Sequence, residues 1–147
     1  MNAPNFEDGV ERILKQDVRY HRDAYYFLRE ALDYTQKVTS KRNQNRPTKH
    51  VSGQELLDGI RGYALEEFGP MALSVLEEWG VKACADFGEI VFNMVETNLL
   101  AKTETDSRED FRNGYDFVAA FRTPFLPARS GRLPEPETRA NDASAAP

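Results

Sequence analysis

Apolar residues recur every three or four positions through most of this chain, and that period predicts helices. Phe6, Val10, Ile13 and Leu14 define a first helix over residues 5–16. Ala24, Phe27, Leu28, Ala31, Thr35 and Val38 form the stripe of a second, over 21–38, which Tyr25, Tyr26 and Tyr34 widen. The pattern then stops. SKRNQNRPTKH, residues 40–50, holds no apolar side chain but Pro47 and reads as an exposed loop. The strongest start signal follows it. Ser52 and Glu55 have capping-box spacing, with Val51 and Leu56 placed for a hydrophobic staple. Leu56, Leu57, Ile60, Tyr63, Ala64 and Phe68 are the apolar face of this third helix.

Gly69-Pro70 ends that helix and opens another, because proline suits a first helical position. Met71, Ala72, Val75, Leu76 and Trp79 face inward, and Gly80 is a natural stop. Asp86 and Glu89 have capping-box spacing for a fifth helix, with Ile90, Val91, Met94 and Val95 inward. The polar stretch AKTETDSREDF suggests a small β-hairpin near 100–118 or one more helical turn, and YDFVAAF (115–121) favours a helix over a strand. Beyond Pro127, Leu133 is the only large apolar residue, so 128–147 is expected to be a disordered tail on a helical domain of residues 1–127. The fold class expected is mainly α, a bundle of five to seven helices.

Three windows invite comparison: YHRDAYYFL (20–28), FGPMALSVL (68–76) and FGEIVFNMV (87–95). Each starts on an aromatic residue and ends on two large apolar ones. Either a common amphipathic pattern or an old helix-hairpin duplication accounts for them. The unequal spacings exclude a solenoid of one fixed period.

At 147 residues, with 40% hydrophobic and 29% charged side chains, the chain is long enough for one self-sufficient core. Its single cysteine, Cys84, excludes an intramolecular disulfide and fits a reducing cytoplasm. The N-terminus lacks the pattern of a secretory signal, and no apolar run is long enough to span a membrane. The net charge of −5 is uneven: residues 34–54 carry five basic and no acidic side chains, whereas residues 55–110 carry thirteen acidic and four basic. That excludes a uniformly basic nucleic-acid coat and leaves a basic loop on an acidic body.

Candidate chemistry is sparse. His21 and Asp23 stand two apart, a spacing that does not share a helix face, and read as helix-start residues. Cys84 has no second cysteine to pair with and reads as an inert thiol. Glu66-Glu67, Glu77-Glu78 and the acids of 106–110 read as solvated faces. No phosphate loop, dinucleotide fingerprint, nucleophile elbow or zinc motif occurs. No catalytic residue, metal ligand or cofactor is therefore assigned. The basic loop, with Lys41, Arg42, Arg46, Lys49 and His50, is the candidate contact for RNA or the ribosome. A winged-helix variant is conceivable over residues 70–111, but its recognition helix carries Asp86, Glu89 and Glu96 and no basic residue, which disfavours DNA.

The phrases RYHRDAYYFLREALDYTQK, HVSGQELLDGIRGYALEEFGPMALSVLEEWGV, DFGEIVFNMVETNLLAKTETDSREDF and GYDFVAAFRTPFLP resemble an uncharacterised small-protein family restricted to Verrucomicrobia and Planctomycetes, described as a repeat protein of unknown function. The resemblance covers roughly 6–127 apart from the basic loop. It implies a bacterial, cytoplasmic protein and brings no functional residues. The expectation from the sequence is a non-enzymatic interaction or adaptor protein that contacts a protein partner through Tyr25, Tyr26, Trp79 or Phe125, with RNA binding through loop 41–50 as the alternative.

Overall fold

Asn5 opens the first helix, α1 (Phe6–Gln16), its side chain accepting from the Glu7 N–H at 2.7 Å. The computed structural model describes residues 5–42, 51–100, 108–112 and 114–127, without the side chains of residues 42, 108 and 109. The tail from 128, most of the basic loop, and residues 101–107 and 113 of the expected hairpin lie outside the described residues. Five further α-helices follow among them: α2 (Arg22–Arg42), α3 (Gly53–Phe68), α4 (Ala72–Glu78), α5 (Cys84–Glu96) and α6 (Phe117–Phe121). Short 3-10 turns occupy Gly69–Met71, Arg108–Phe111 and Thr123–Phe125. The fold is mainly α, as the periodicity predicts. No strand occurs among the described residues, and the described part of the expected hairpin is a 3-10 turn and the start of α6.

The helix α2 runs four residues further than its apolar stripe predicts. Ser40, Lys41 and Arg42 are helical rather than part of the loop. Lysine and arginine are good helix formers, and the Thr39 hydroxyl finds its partner inside the helix, on the Thr35 carbonyl at 3.0 Å. The start of α3 forms as read: the Glu55 N–H donates to Ser52 Oγ at 3.1 Å and the Ser52 N–H to Glu55 Oε1 at 3.0 Å.

The start of α5 differs. The helix begins at Cys84, and Asp86 is its third residue, turned back to accept from the Lys82 and Ala83 N–H groups at 2.9 and 3.2 Å. An aspartate can hold either end of a capping box, and spacing alone does not say which.

Helices α4 and α5 stop by the same device. Val81 N–H reaches the Leu76 carbonyl at 2.9 Å across Gly80, whose φ is +89°. Leu99 N–H reaches the Met94 carbonyl at 2.8 Å across Asn98, whose φ is +64°. Both are Schellman closures on a left-handed residue.

Helices α2 and α3 form an antiparallel pair. Thr35 meets Gly59, Glu30 meets Tyr63, and Phe27 meets Phe68, so position falls on one helix as it rises on the other. A chain of rings fills one side of the pair: Tyr34, Tyr63, Phe27, Phe68 and Trp79, with neighbouring centroids 5.4–5.7 Å apart. A second ring cluster, Phe87, Tyr115, Phe117 and Phe121, seals α6 against α5.

The three similar windows occupy unlike places. Tyr20 precedes α2, Phe68 is the last residue of α3, and Phe87 lies within the first turns of α5. The windows therefore sit at unlike points of their helices, and the fold gives no support to an internal repeat.

Candidate functional site

Of the four aromatic residues expected at a contact surface, Tyr25 is fully buried. It sits on the α2 face turned to α5, where Asn93 Nδ2 donates to its hydroxyl at 3.2 Å, so it is a core residue and cannot meet a partner. Trp79 is half-buried between Phe27 and Phe68. Phe125 is 43% exposed in the last 3-10 turn, beside exposed Leu126. Tyr26 is half-buried and packs edge-on against Phe6, ring centroids 5.0 Å apart. Of the basic residues, Lys41 is exposed on the last turn of α2 and Arg42 ends that helix; Arg46, Lys49 and His50 lie outside the described residues.

Tyr26 opens onto a groove of about 720 Å³ that sequence reading misses. The outer stripe of α2 forms its floor, running from Tyr26 through Arg29, Glu30 and Asp33 to Lys37. Tyr34 and Tyr63 line it along the α2–α3 seam, and Phe6, Leu99 and Leu100 line it from α1 and the end of α5. The volume falls in the range of ligand-binding clefts. Both charge signs are present. The Arg29 guanidinium lies 4.7 Å from the Phe6 ring centroid, and Lys37 Nζ is 3.1 Å from Asp33 Oδ2. The Tyr63 hydroxyl donates to Glu30 at 2.8 Å, and the Tyr34 hydroxyl points to Glu66 at 3.4 Å. Burial, and then Glu30, push the Tyr63 hydroxyl up to about 12; Glu66 and Glu67 add in the same direction. The only trace of the groove in the sequence is the charged stripe at positions 29, 33 and 37, which any solvated helix face also shows.

A polar network crosses from the α1–α2 connection to α5. The Arg19 fork holds both Asp17 oxygens, at 2.7–3.2 Å, and reaches Glu89 at 3.4 Å. Asn93 Nδ2 donates to Asp17 at 2.9 Å, and the Tyr20 hydroxyl donates to Asp86. Arg19 first, and Asn93 after it, hold the Asp17 carboxyl well below the usual range. Every member of this network has a partner within the fold, which is the arrangement of a brace.

Comparison with family models, with curated proteins and with solved structures finds no match for this chain.

Among the described residues no group of three or more His, Cys, Asp or Glu converges to hold a metal ion, and no helix is long and apolar enough to cross a membrane. His21 caps α2, its Nδ1 accepting from the Asp23 N–H at 3.0 Å. Cys84 is 3% exposed and donates to the Tyr115 carbonyl at 3.4 Å. Burial pushes its thiol up to about 11. The thiol is therefore expected to react with a disulfide reagent at pH 8 at least ~100-fold more slowly in the folded protein than in denaturant, since both access and thiolate fraction are lost. Stopped-flow labelling checks this, and equal rates would show an open thiol.

Five tyrosines share the upward shift. Burial is the leading cause at Tyr20, Tyr25, Tyr34, Tyr63 and Tyr115. A raised acid stabilises the fold fully below its unfolded value, and that contribution disappears as pH climbs through the folded one. With Cys84 near 11 and Tyr63 near 12, stability is expected to fall steadily from about pH 8.5 to about 12. In an alkaline titration, most tyrosinate absorbance should appear together with the loss of helical circular dichroism. Most of the tyrosinate forming near pH 10 with the helix intact would contradict the burial described.

Proposed function

We propose that this chain is a non-enzymatic, cytoplasmic protein-interaction or adaptor protein that docks a protein partner in the groove along α2. The observation that carries the reading is the lining of that groove: four half-buried aromatic side chains, Phe6, Tyr26, Tyr34 and Tyr63, on one accessible cleft. Aromatic side chains with polar tips are the commonest anchors of protein interfaces. The mixed charge, Arg29 and Lys37 beside Glu30 and Asp33, favours a polypeptide over a polyanion. The resemblance of the sequence to a bacterial family adds the setting and no activity.

The RNA or ribosome alternative rests on Lys41, exposed at the end of α2, and on the basic residues that follow it in the sequence. One experiment separates the two. A photo-reactive p-benzoylphenylalanine replaces Tyr26 in one protein and Val118, outside the groove, in another. The proposal expects a defined polypeptide adduct at position 26 that survives nuclease and is absent at 118. Adducts that vanish with nuclease, and with Lys41, Arg42, Arg46 and Lys49 neutralised, would favour RNA. Equal labelling at both positions would remove the groove from consideration.

A further inference from the structure

We infer that the groove along α2 takes an extended, arginine-bearing segment of its protein partner, with the guanidinium held at the Tyr34–Tyr63 end. This rests on the reading of the groove as a docking site and adds the chemistry of what docks.

The charges around the groove are not equally engaged. Its cations already have partners: Arg29 lies over Phe6, and Lys37 pairs with Asp33. Among the described residues, two carboxylates near the groove pair with no cation. Glu30 accepts from the Tyr63 hydroxyl and Glu66 from the Tyr34 hydroxyl, both neutral donors. These two rings lie 5.4 Å apart, so the two carboxylates flank one aromatic pair. Glu67 also acts on the Tyr63 hydroxyl. The segment 55–110, to which α3 belongs, carries nine net negative charges. Three carboxylates, Glu30, Glu66 and Glu67, therefore gather around this ring pair.

A planar cation suits such a place better than a point charge. Guanidinium stacks on an aromatic face and offers a fork of donors to carboxylates, which an ammonium cannot do. The groove already contains one instance of that geometry in Arg29 over Phe6. The floor from Tyr26 to Lys37 spans three turns of helix, about 16 Å, which is the length of about five extended residues.

The test uses the full chain and fluorescence anisotropy with a labelled Gly-Ser-Arg-Ser-Arg-Ser-Gly peptide. Its twin carries citrulline, which keeps the shape and removes the charge. The arginine peptide is expected to bind at least 10-fold more tightly than the twin. Glu30→Gln keeps an acceptor for Tyr63, and should weaken binding at least 5-fold with unchanged circular dichroism. Glu78→Gln, outside the groove, should leave binding unchanged. Equal binding of the citrulline twin, no loss in Glu30→Gln, or an equal loss in Glu78→Gln would each overturn the inference, the last by showing diffuse attraction to an acidic surface. A nuclease-resistant adduct at position 26 alongside any of these failures would leave the docking reading standing and remove only the arginine chemistry.

Discussion

Replacing Gly59 with alanine is expected to destabilise the protein by roughly 2 kcal/mol, although alanine is the better helix former by about 1 kcal/mol. Gly59 lies inside α3 against Thr35 of α2. A Cβ there would stand 1.7 Å from Thr35 Oγ1 and 2.7 Å from Thr35 Cβ. Thr35 is 2% exposed, and its hydroxyl is tied to the Ala31 carbonyl at 2.7 Å, so it has no room to turn away. The helices must separate instead, and the ring chain beside them loosens. One turn along, at Gly62, the nearest atom to a new Cβ is the Tyr34 hydroxyl at 3.4 Å, an ordinary contact. Gly62→Ala should therefore stabilise, by up to about 1 kcal/mol. Urea unfolding of the two variants should show midpoints moving in opposite directions. Adding Thr35→Ala to Gly59→Ala should recover part of the loss, because it removes Oγ1 and leaves Cβ. Two midpoints rising together would show that the helices do not meet as described.

Gly80→Ala is expected to cost at least as much, roughly 2–3 kcal/mol, for two reasons that add. The residue has φ +89°, which an L side chain rarely adopts, and its Cβ would stand 2.3 Å from the Arg19 carbonyl oxygen. That oxygen is backbone and cannot rotate aside. It is there because the connection before α2 docks on this turn, with the His21 N–H on the Trp79 carbonyl at 3.0 Å. The variant would disturb both the end of α4 and the Arg19 brace. Asn98→Gly is the natural comparison, since Asn98 adopts the same hand with its side chain exposed. Its effect should lie within about 1 kcal/mol of zero. Thermal unfolding of the pair checks this; a Gly80→Ala protein as stable as wild type would refute the close approach.

What could be read from the sequence follows the range of the forces involved. The Ser52–Glu55 box, the Gly69-Pro70 junction and the Gly80 stop were legible because each is a local arrangement of backbone and neighbouring side chain. The roles of Tyr25 and Tyr26 were not. Adjacent on one helix, they look alike in sequence, yet one meets Asn93 in the core and the other meets Phe6 at the groove. Which is buried depends on where α1 and α5 lie against α2, and periodicity within α2 carries no record of that. The groove is invisible for the same reason: Phe6, Tyr63 and Leu100 are brought together only by the fold. The likeness of the three windows has a different origin. Residue type at matched positions followed amphipathicity, which is common to helices of unrelated placement.

The brace on the α1–α2 connection also bears on how the chain is made. Asp17 joins Asn93 across 76 positions, Arg19 joins Glu89 across 70, and Tyr20 joins Asp86 across 66. During synthesis at roughly 5–20 residues per second, the N-terminal helix therefore waits several seconds before its fastening points on α5 exist. Until then α2 and α3 can pair and Phe6 of α1 can meet Tyr26 of α2, but α1 has no α5 to close on. Helix α1 leaves the ribosome before α5, yet it is fixed in place only after α5 has formed.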